Sequence, residues 1–287
     1  MTSPASKTSA SKLQRAIGAG RLRTMQVAGK TRIADLYQSA NAKIRVPKQH
    51  DDHLDAVLIN TAGGLTGGDV LNWDMDAGPT TKTILSTQAC ERIYRAQSGT
   101  TRVATKINVE ADAHFLWLPQ ETILFDGSSL TRALNATLAD NARLTALEAI
   151  VLGREAMREE LQNVSLIDNW RIAGNQGILH ADAFRMHTAQ IAKMANAAHL
   201  HGHRVFGTLI DLEPSRQVID SHQKQIFTNH LNSKFEVYEN LNLGVSSFAQ
   251  KTIVRFTART SYDLRLHLPD LLNEVVPGLN VPKVWRL

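Results

Sequence analysis

Glycines and carboxylates in two short segments are the first candidates for chemistry in this chain. In the earlier segment, the pairs Gly63-Gly64 and Gly67-Gly68 come directly before Asp69. A phosphate-binding loop instead follows its last glycine with lysine and a hydroxyl residue, so that an ammonium group and helix N–H groups meet the anion. The carboxylate of Asp69 would repel phosphate. We therefore expect turns with positive φ angles here, or a glycine-lined corner that presents Asp69 to a cation or a partner.

The later segment carries two carboxylates, Glu121 and Asp126, on either side of an apolar run. Two such groups can act as the acid and the nucleophile of a glycosidase. That chemistry needs a cleft lined by aromatic side chains, whereas the 4 Trp and 4 Tyr are scattered along the chain. A structural role in turns is the simpler interpretation, and a carboxylate-based hydrolase of unknown substrate stays open as the alternative function.

Three histidines alternate in His199-x-His201-x-His203. On a strand, their imidazoles would share one face and could bind nickel or zinc. They stand beside Gly202, between a predicted helix and a predicted strand, where histidines are more often surface residues. The sequence therefore gives a weak candidate ligand set at these three positions.

The chain has one cysteine, Cys90, which excludes an intrachain disulfide and suits a reducing, cytoplasmic environment. In a predicted strand, a lone cysteine is more often a small buried group than a nucleophile. The sequence also lacks the His-Glu-x-x-His, Gly-x-Ser-x-Gly, Cys-x-x-Cys and Gly-x-Gly-x-x-Gly patterns of common enzymes. Together these features lower the expectation of catalysis.

The excess of positive charge is concentrated near the start of the chain. Of 32 Lys and Arg, 5 lie in the first 23 positions, which leaves 27 against the 27 Asp and Glu of the remainder. Nucleic-acid-binding domains carry their excess on a folded face, so that class and a membrane-surface protein are disfavoured. We predict a disordered basic tail over residues 1–20, similar in composition to a mitochondrial presequence, and a single domain over 21–287.

Strand patterns occupy most of residues 21–184, with turn signals at short intervals. From Val103 to Val109, residues suited to burial occupy every second position. This two-residue period is typical of a half-buried strand. The apolar runs 115–118 and 122–125 are separated by Pro119-Gln120-Glu121, which indicates a hairpin or a corner between sheet layers. The sequence therefore predicts a mainly β, multi-layer body.

Helical spacing appears only in the C-terminal third. A first helix is predicted from Ile191, Met194, Ala195 and Ala198, and a second over residues 215–231, with Ile219, Ile226 and Phe227 toward the core. A last helix, weakened by Pro269, is predicted from Leu264, Leu268, Leu271, Leu272 and Val275. Strands are predicted over 205–212 and as a pair within 247–257.

Five segments in order along the chain carry a family resemblance. They are NTAGGLTGGD (60–69), STQACERIYR (86–95), WLPQETILF (117–125), Leu152-Gly153-Arg154 with Glu155 and Glu159, and the closing Pro282-Lys283-Val284-Trp285. These segments resemble the urease accessory proteins of the UreD family, called UreH in some lineages. The resemblance extends from about residue 20 to the end, and its middle segments are long and specific.

Membership would imply a β-helical, strand-rich fold with a few helices, and no catalysis. It would also imply a cytoplasmic scaffold in urease maturation that binds UreF, the GTPase UreG and apo-urease. Nickel would pass through as transient cargo, without a tightly bound cofactor, and neither nucleic acid nor a membrane would be a partner.

Four acidic residues in the motif strands are candidates for a nickel path: Asp69, Glu91, Glu121 and Glu148. Each stands among apolar residues, where a carboxylate is costly unless it is paired or hydrated. Carboxylates along an internal passage would attract a divalent ion and release it again. The rival explanation is structural pairing, such as Glu91 with Arg92 or Arg95 on a neighbouring strand.

Overall fold

A computed structural model describes residues 14–48, 51–191, 193–194, 196, 199–215, 221–236 and 238–286. Strands make up 53% of the structure and helices 14%, so the predicted mainly β class is confirmed. The first 13 residues of the predicted tail lie outside the described residues. The first strand begins at Ile17, so the end of that predicted tail belongs to a sheet.

Sheet A contains β1 (Ile17–Val27), β2 (Lys30–Ser39), β5 (Val70–Ala77), β8 (Thr101–Val109), β11 (Ser128–Leu138), β13 (Val164–Gly174) and β14 (Gly177–His187). Their order across the sheet is β14-β13-β11-β8-β5-β1-β2. The five inner strands are mutually parallel, whereas β2 and β14 pair antiparallel at the two edges.

Sheet B contains β3 (Ala42–Arg45), β4 (Leu54–Asn60), β6 (Lys82–Thr87), β7 (Glu91–Ile93), β9 (His114–Leu118), β10 (Thr122–Leu124), β12 (Arg143–Leu152), β15 (Val205–Leu212), β16 (Leu241–Phe248) and β17 (Lys251–Ala258). Its main order is β16-β17-β15-β12-β9-β6-β4-β3, and β10 pairs with both β12 and β7. The strands β4, β6, β9 and β12 run parallel.

The chain alternates between the two sheets, which produces the β-helical arrangement. Between β4 and β13, each passage adds a parallel strand to one sheet and then to the other, as in β8 to β9 and β11 to β12. Apolar side chains from both sheets meet between them in one core that includes Leu22, Ile107, Phe115 and Ile150. The predicted alternation in β8 is confirmed, because Thr105, Ile107 and Val109 are buried.

A second core lies on the other face of sheet B, beneath helices. These helices are α2 (Ser221–Glu236) and α3 (Ser261–Val275), whereas the short α1 (Thr188–Ile191) lies beside β14 and packs Ile191 against the first core. All five predicted core positions of α3 are buried despite Pro269, and Thr260 caps its start by accepting a hydrogen bond from the Asp263 N–H. These residues pack with Leu147, Val151 and Leu209 of sheet B.

Two helix predictions differ from the structure. The first helix is described over only four residues, and Ala195 and Ala198 lie outside the described residues. The described part of the second helix begins at Ser221, since 216–220 also lie outside. Ile226 is 55% exposed, so its predicted inward position was wrong; α2 reaches the core through Leu231 and Phe235 farther along.

The segment 119–121 is neither a hairpin nor a corner between layers. Both β9 and β10 run parallel to β12 within sheet B, so the segment is a break in one strand line. Pro119 lacks an N–H for the ladder, and the Gln120 N–H instead donates to Thr87 Oγ1 at 2.9 Å. The break leaves Glu121 facing α3 and Thr122 facing the space between the sheets.

The C-terminal turn Lys283–Trp285 closes the second core. Trp285 is 1% exposed, and its Nε1 donates to the Leu118 carbonyl at 3.0 Å. The guanidinium carbon of Arg265 lies 5.3 Å from the centroid of the Trp285 ring. The closing motif therefore serves to seal α3 onto β9.

Replacing Trp285 with alanine should lower the free energy of unfolding by about 3–5 kcal/mol, because it empties a buried aromatic site. The matched control is Arg286→Ala, at an exposed neighbouring position, which should change stability by less than about 0.5 kcal/mol. Urea denaturation followed by far-ultraviolet circular dichroism measures both. Equal effects of the two substitutions would contradict the sealing role.

Candidate functional site

Asp69 organises the glycine-rich corner. Its carboxylate accepts hydrogen bonds from the N–H groups of Ala16, at 2.9 Å, and Thr66, at 2.8 Å. The predicted positive φ angles occur at Gly63, Gly64 and Gly68, although not at Gly67. A side chain at Gly64 would collide with the Tyr94 ring, whose nearest atom lies 2.3 Å from an ideal Cβ position. The carboxylate thus ties the corner to the start of β1.

Glu91 lies beside a cavity of about 250 Å³ that Asn60, Trp73 and Cys90 also line. Its two oxygens accept hydrogen bonds from the Asn60 amide at 3.0 and 3.1 Å. Burial raises the pKa of Glu91 to about 7, although Asn60 favours the charged form. No ion pair joins Glu91 to Arg92 or Arg95 in the described part of the chain; Arg95 instead pairs with Asp126.

Glu121 is fully buried and forms an ion pair across a long stretch of sequence. The Nε and Nη2 atoms of Arg265, on α3, donate to its two oxygens at 2.9 and 2.6 Å. The Cys90 Sγ lies 3.3 Å from Glu121 Oε2. Burial, followed by the neighbouring Glu121, raises the pKa of Cys90 to about 11, so its thiol stays neutral near pH 7. The structural-pair explanation therefore fits Glu121, with Arg265 as the partner.

Asp126 has its own, separate set of partners. One oxygen accepts from the N–H groups of Gln162, at 2.7 Å, and Asn163, at 2.8 Å, while the other pairs with Arg95. Burial alone would raise the pKa of Asp126, but these two N–H groups and Arg95 outweigh it and lower that pKa. Both carboxylates of the proposed hydrolase pair are thus occupied elsewhere, which weakens the hydrolase alternative.

The three alternating histidines lie in turns before β15. His199 and His201 are exposed, and His201 has a positive φ angle of 49°. His203 is half-buried, with its Nδ1 2.9 Å from Thr257 Oγ1. Among the residues that the structure describes, no three His, Cys, Asp or Glu side chains form a group able to hold a metal ion.

Glu148 faces a charged cavity of about 370 Å³ between the two sheets. The charged side chains that line this intersheet cavity are three carboxylates and two guanidinium groups: Glu148, Asp168, Asp182, Arg132 and Arg255. Aromatic residues Trp170, Phe184, Phe206 and Phe256 complete much of its wall. Neither Asp69 nor Glu121 lines it.

The guanidinium of Arg132 occupies the inner end of this cavity. Its Nε lies 2.7 Å from Glu148 Oε2 and 3.2 Å from Asp168 Oδ1, so carboxylates from the two sheets meet at one nitrogen atom. Arg132 is only 6% exposed. Burial opposes its charge, but Asp168 and Glu148 outweigh that effect and raise the pKa of Arg132 above its ordinary value.

Glu148 is itself only 5% exposed. Its Oε1 accepts a hydrogen bond from the Trp117 Nε1 at 3.1 Å, whereas Oε2 accepts none. Burial raises the pKa of Glu148 to about 7, against the opposing influence of Arg132. At the outer rim of the cavity, Asp182 forms an ion pair with Arg255, whose side chain is 60% exposed.

Asp168, Asp182 and Arg132 were missed in the sequence. The available signal was a charged residue at a core position of a strand. Arg132 lies between buried Leu130 and Leu134, and Asp168 between buried Leu166 and Trp170. Arg132 and Asp168 are also aligned in neighbouring strands. The sequence shows the alternation within each strand, but it does not show that the two strands place Arg132 beside Asp168.

Stability should depend on pH through Glu91. The folded pKa of about 7 lies above the ordinary value of 4.5, so between these values the folded state binds more protons and loses stability as pH rises. Relative to Glu91→Gln, which cannot ionise, the wild type should lose about 3 kcal/mol across this window. Urea titrations at several pH values measure the difference. A difference independent of pH would contradict the assignment.

Glu121→Ala should destabilise the fold by about 3 kcal/mol, because the Arg265 charge stays behind without its buried partner. The double variant Glu121→Gln with Arg265→Gln removes both charges and should recover part of that loss. Glu110→Ala, at an exposed carboxylate, is the control. Thermal and urea unfolding report the result, and wild-type stability of Glu121→Ala would refute the supporting role.

Comparison with known proteins places these features in a family. Residues 16–286 match the family model described as UreD urease accessory protein. A protein of Rhizobium johnstonii named urease accessory protein UreD is 41% identical over 96% of both chains. Proteins of the same name from Agrobacterium fabrum and a Chelativorans species are 37% and 36% identical over 96% of this chain, and cover 92% and 95% of their own lengths. The chain therefore belongs to the UreD family of urease accessory proteins.

Proposed function

We propose that this protein is a urease maturation factor that helps to deliver nickel to apo-urease and catalyses no reaction itself. Family membership and the names of its relatives support a role in urease maturation. The finer role rests on the intersheet cavity, because it brings the carboxylates of Glu148 and Asp168 together inside an otherwise apolar body.

The chemistry of the cavity suits a divalent ion in transit. Carboxylate oxygens are ligands for divalent cations, and a cavity wall with few of them holds such an ion weakly enough for release. The partly exposed Asp182 at the rim provides a first carboxylate on the way to buried Glu148. Nickel is therefore proposed as transient cargo, without a tightly bound cofactor.

The route extends along the inner face of sheet B toward Glu91. Thr122 is aligned with Glu91 on one side and with Ile150, which lines the intersheet cavity, on the other. Its Oγ1 accepts a hydrogen bond from Arg132 Nη1 at 3.2 Å. We assign Glu91 and Glu148 to the route itself. Asp69 and Glu121 support it by holding the glycine-rich corner and α3 in place.

The partners in this role are the accessory protein UreF, the GTPase UreG and the apo-urease subunits, as the family resemblance implies. The proposed compartment is the cytoplasm, in keeping with the single cysteine Cys90. Within the described part of the chain, no helix combines the length and the apolar character needed to cross a membrane.

Two substitutions test the route, Glu148→Gln and Asp168→Asn. Each removes one cavity carboxylate, and the remaining carboxylate still pairs with Arg132. Each variant, co-expressed with urease and the other accessory proteins, should lower nickel content and ureolysis at least tenfold. Glu110→Gln, at an exposed carboxylate outside the cavity, should activate urease normally.

Thermal unfolding of the purified variants provides the control for folding. If Glu148→Gln and Asp168→Asn both remain folded and activate urease fully, the cavity is not the nickel route. A docking function in urease maturation would then be the role that survives.

A further inference from the structure

Arg132 sits where the two carboxylates of the intersheet cavity converge. On the basis of the nickel-delivery role proposed above, we infer that its guanidinium is a built-in competitor for the metal ion. It occupies the Glu148–Asp168 pair in the resting protein, and an arriving ion must displace it. This competition keeps binding of the ion weak and reversible.

The contact distances support a shared position for the nitrogen and the ion. Arg132 Nε lies 2.7 Å from Glu148 Oε2 and 3.2 Å from Asp168 Oδ1. Small divalent ions such as Zn²⁺ and Mg²⁺ bind carboxylate oxygens at about 2.0–2.2 Å. Small inward movements of the two side chains would therefore let an ion take the place of Nε.

The bonding of Glu148 supplies an independent observation. Its Oε2 is buried and accepts no hydrogen bond, so the contact with Arg132 is a charge contact alone. The other oxygen is fixed by the Trp117 Nε1 at 3.1 Å. One oxygen thus orients the carboxylate, while the other faces the Arg132 nitrogen at the edge of the cavity.

Arg132 can yield this position without losing all of its partners. Its Nη1 donates to Thr122 Oγ1 at 3.2 Å, and its Nη2 donates to Asp168 Oδ2 at 2.5 Å. Both contacts lie at the far end of the guanidinium fork, so they can hold the side chain after Nε has moved away from Glu148.

The charge of Arg132 makes it a competitor rather than a ligand. A guanidinium stays protonated at every physiological pH and has no lone pair to offer a metal ion. An ion bound to Glu148 and Asp168 therefore meets a fixed positive charge in a poorly hydrated space, where repulsion is strong. That repulsion favours release, which a transfer protein needs.

The test compares Arg132→Gln with Arg132→Lys in the full-length protein. Arg132→Gln removes the charge and should bind Ni²⁺ at least tenfold more tightly than the wild type in equilibrium dialysis. Arg132→Lys retains the charge and should bind within about threefold of the wild type. Adding Glu148→Gln to Arg132→Gln should abolish the gain, which ties the effect to the carboxylate pair.

A second measurement keeps the test informative if Arg132→Gln folds poorly. Poor folding is expected if the Glu148 and Asp168 carboxylates lose their buried counter-ion. Ni²⁺ should then supply the missing positive charge and raise the melting temperature of Arg132→Gln more than that of the wild type. In the urease co-expression assay, the Arg132→Gln protein should keep its bound nickel longer than the wild type, and urease should therefore be activated more slowly.

The outcomes separate this inference from the proposed route. If Arg132→Gln gains neither nickel affinity nor nickel-dependent stability, while Glu148→Gln and Asp168→Asn lose activation, the competitor role is wrong and the route stands. If the two carboxylate variants activate urease normally, the route itself fails. Tighter binding by Arg132→Lys that equals the gain of Arg132→Gln would also overturn the competitor role.

Discussion

The structure depends on one constraint: charges placed between two packed sheets must find partners across the gap. Arg132 of sheet A meets this requirement by bridging Asp168 on the next strand of its own sheet and Glu148 of the opposite sheet. Removing two carboxylates and a guanidinium from water is expensive, and only close contact repays it. The three groups therefore fix how the sheets face each other at the position where a cavity interrupts the apolar core.

The two faces of sheet B use similar residues for different purposes. On the helical face, Glu121 has one arginine, Arg265, which engages both of its oxygens. On the inner face, Arg132 is shared by two carboxylates beside an open volume, and Glu148 keeps one oxygen without a hydrogen bond. A carboxylate with both oxygens hydrogen-bonded to one arginine, such as Glu121, stabilises the packing of a helix. A carboxylate with one oxygen lacking a hydrogen bond, such as Glu148, can exchange the arginine for a metal ion. Burial of an acid therefore does not by itself identify a transport function.

Sequence alone predicted the strand-rich class, β15 and the five core positions of α3, because these follow from local periodicity. It did not predict which acids share a cavity, since that depends on strand alignment over distances that periodicity does not encode. Glu121 and Thr122 illustrate the limit: the break at Pro119 sets which of them faces α3 and which faces the core. The outward side chain of Ile226 has a similar origin, because α2 packs through Leu231 and Phe235 near its end.

The order in which this chain emerges from the ribosome gives the long-range pair a consequence for folding. Arg265 follows Glu121 by 144 positions. While those 144 residues are being added, the Glu121 carboxylate has no Arg265 guanidinium to pair with, and the face of sheet B that α3 will cover remains exposed. Domains of this size are vulnerable to aggregation while such surfaces are open. The Glu121–Arg265 pair can form only after α3 has left the ribosome.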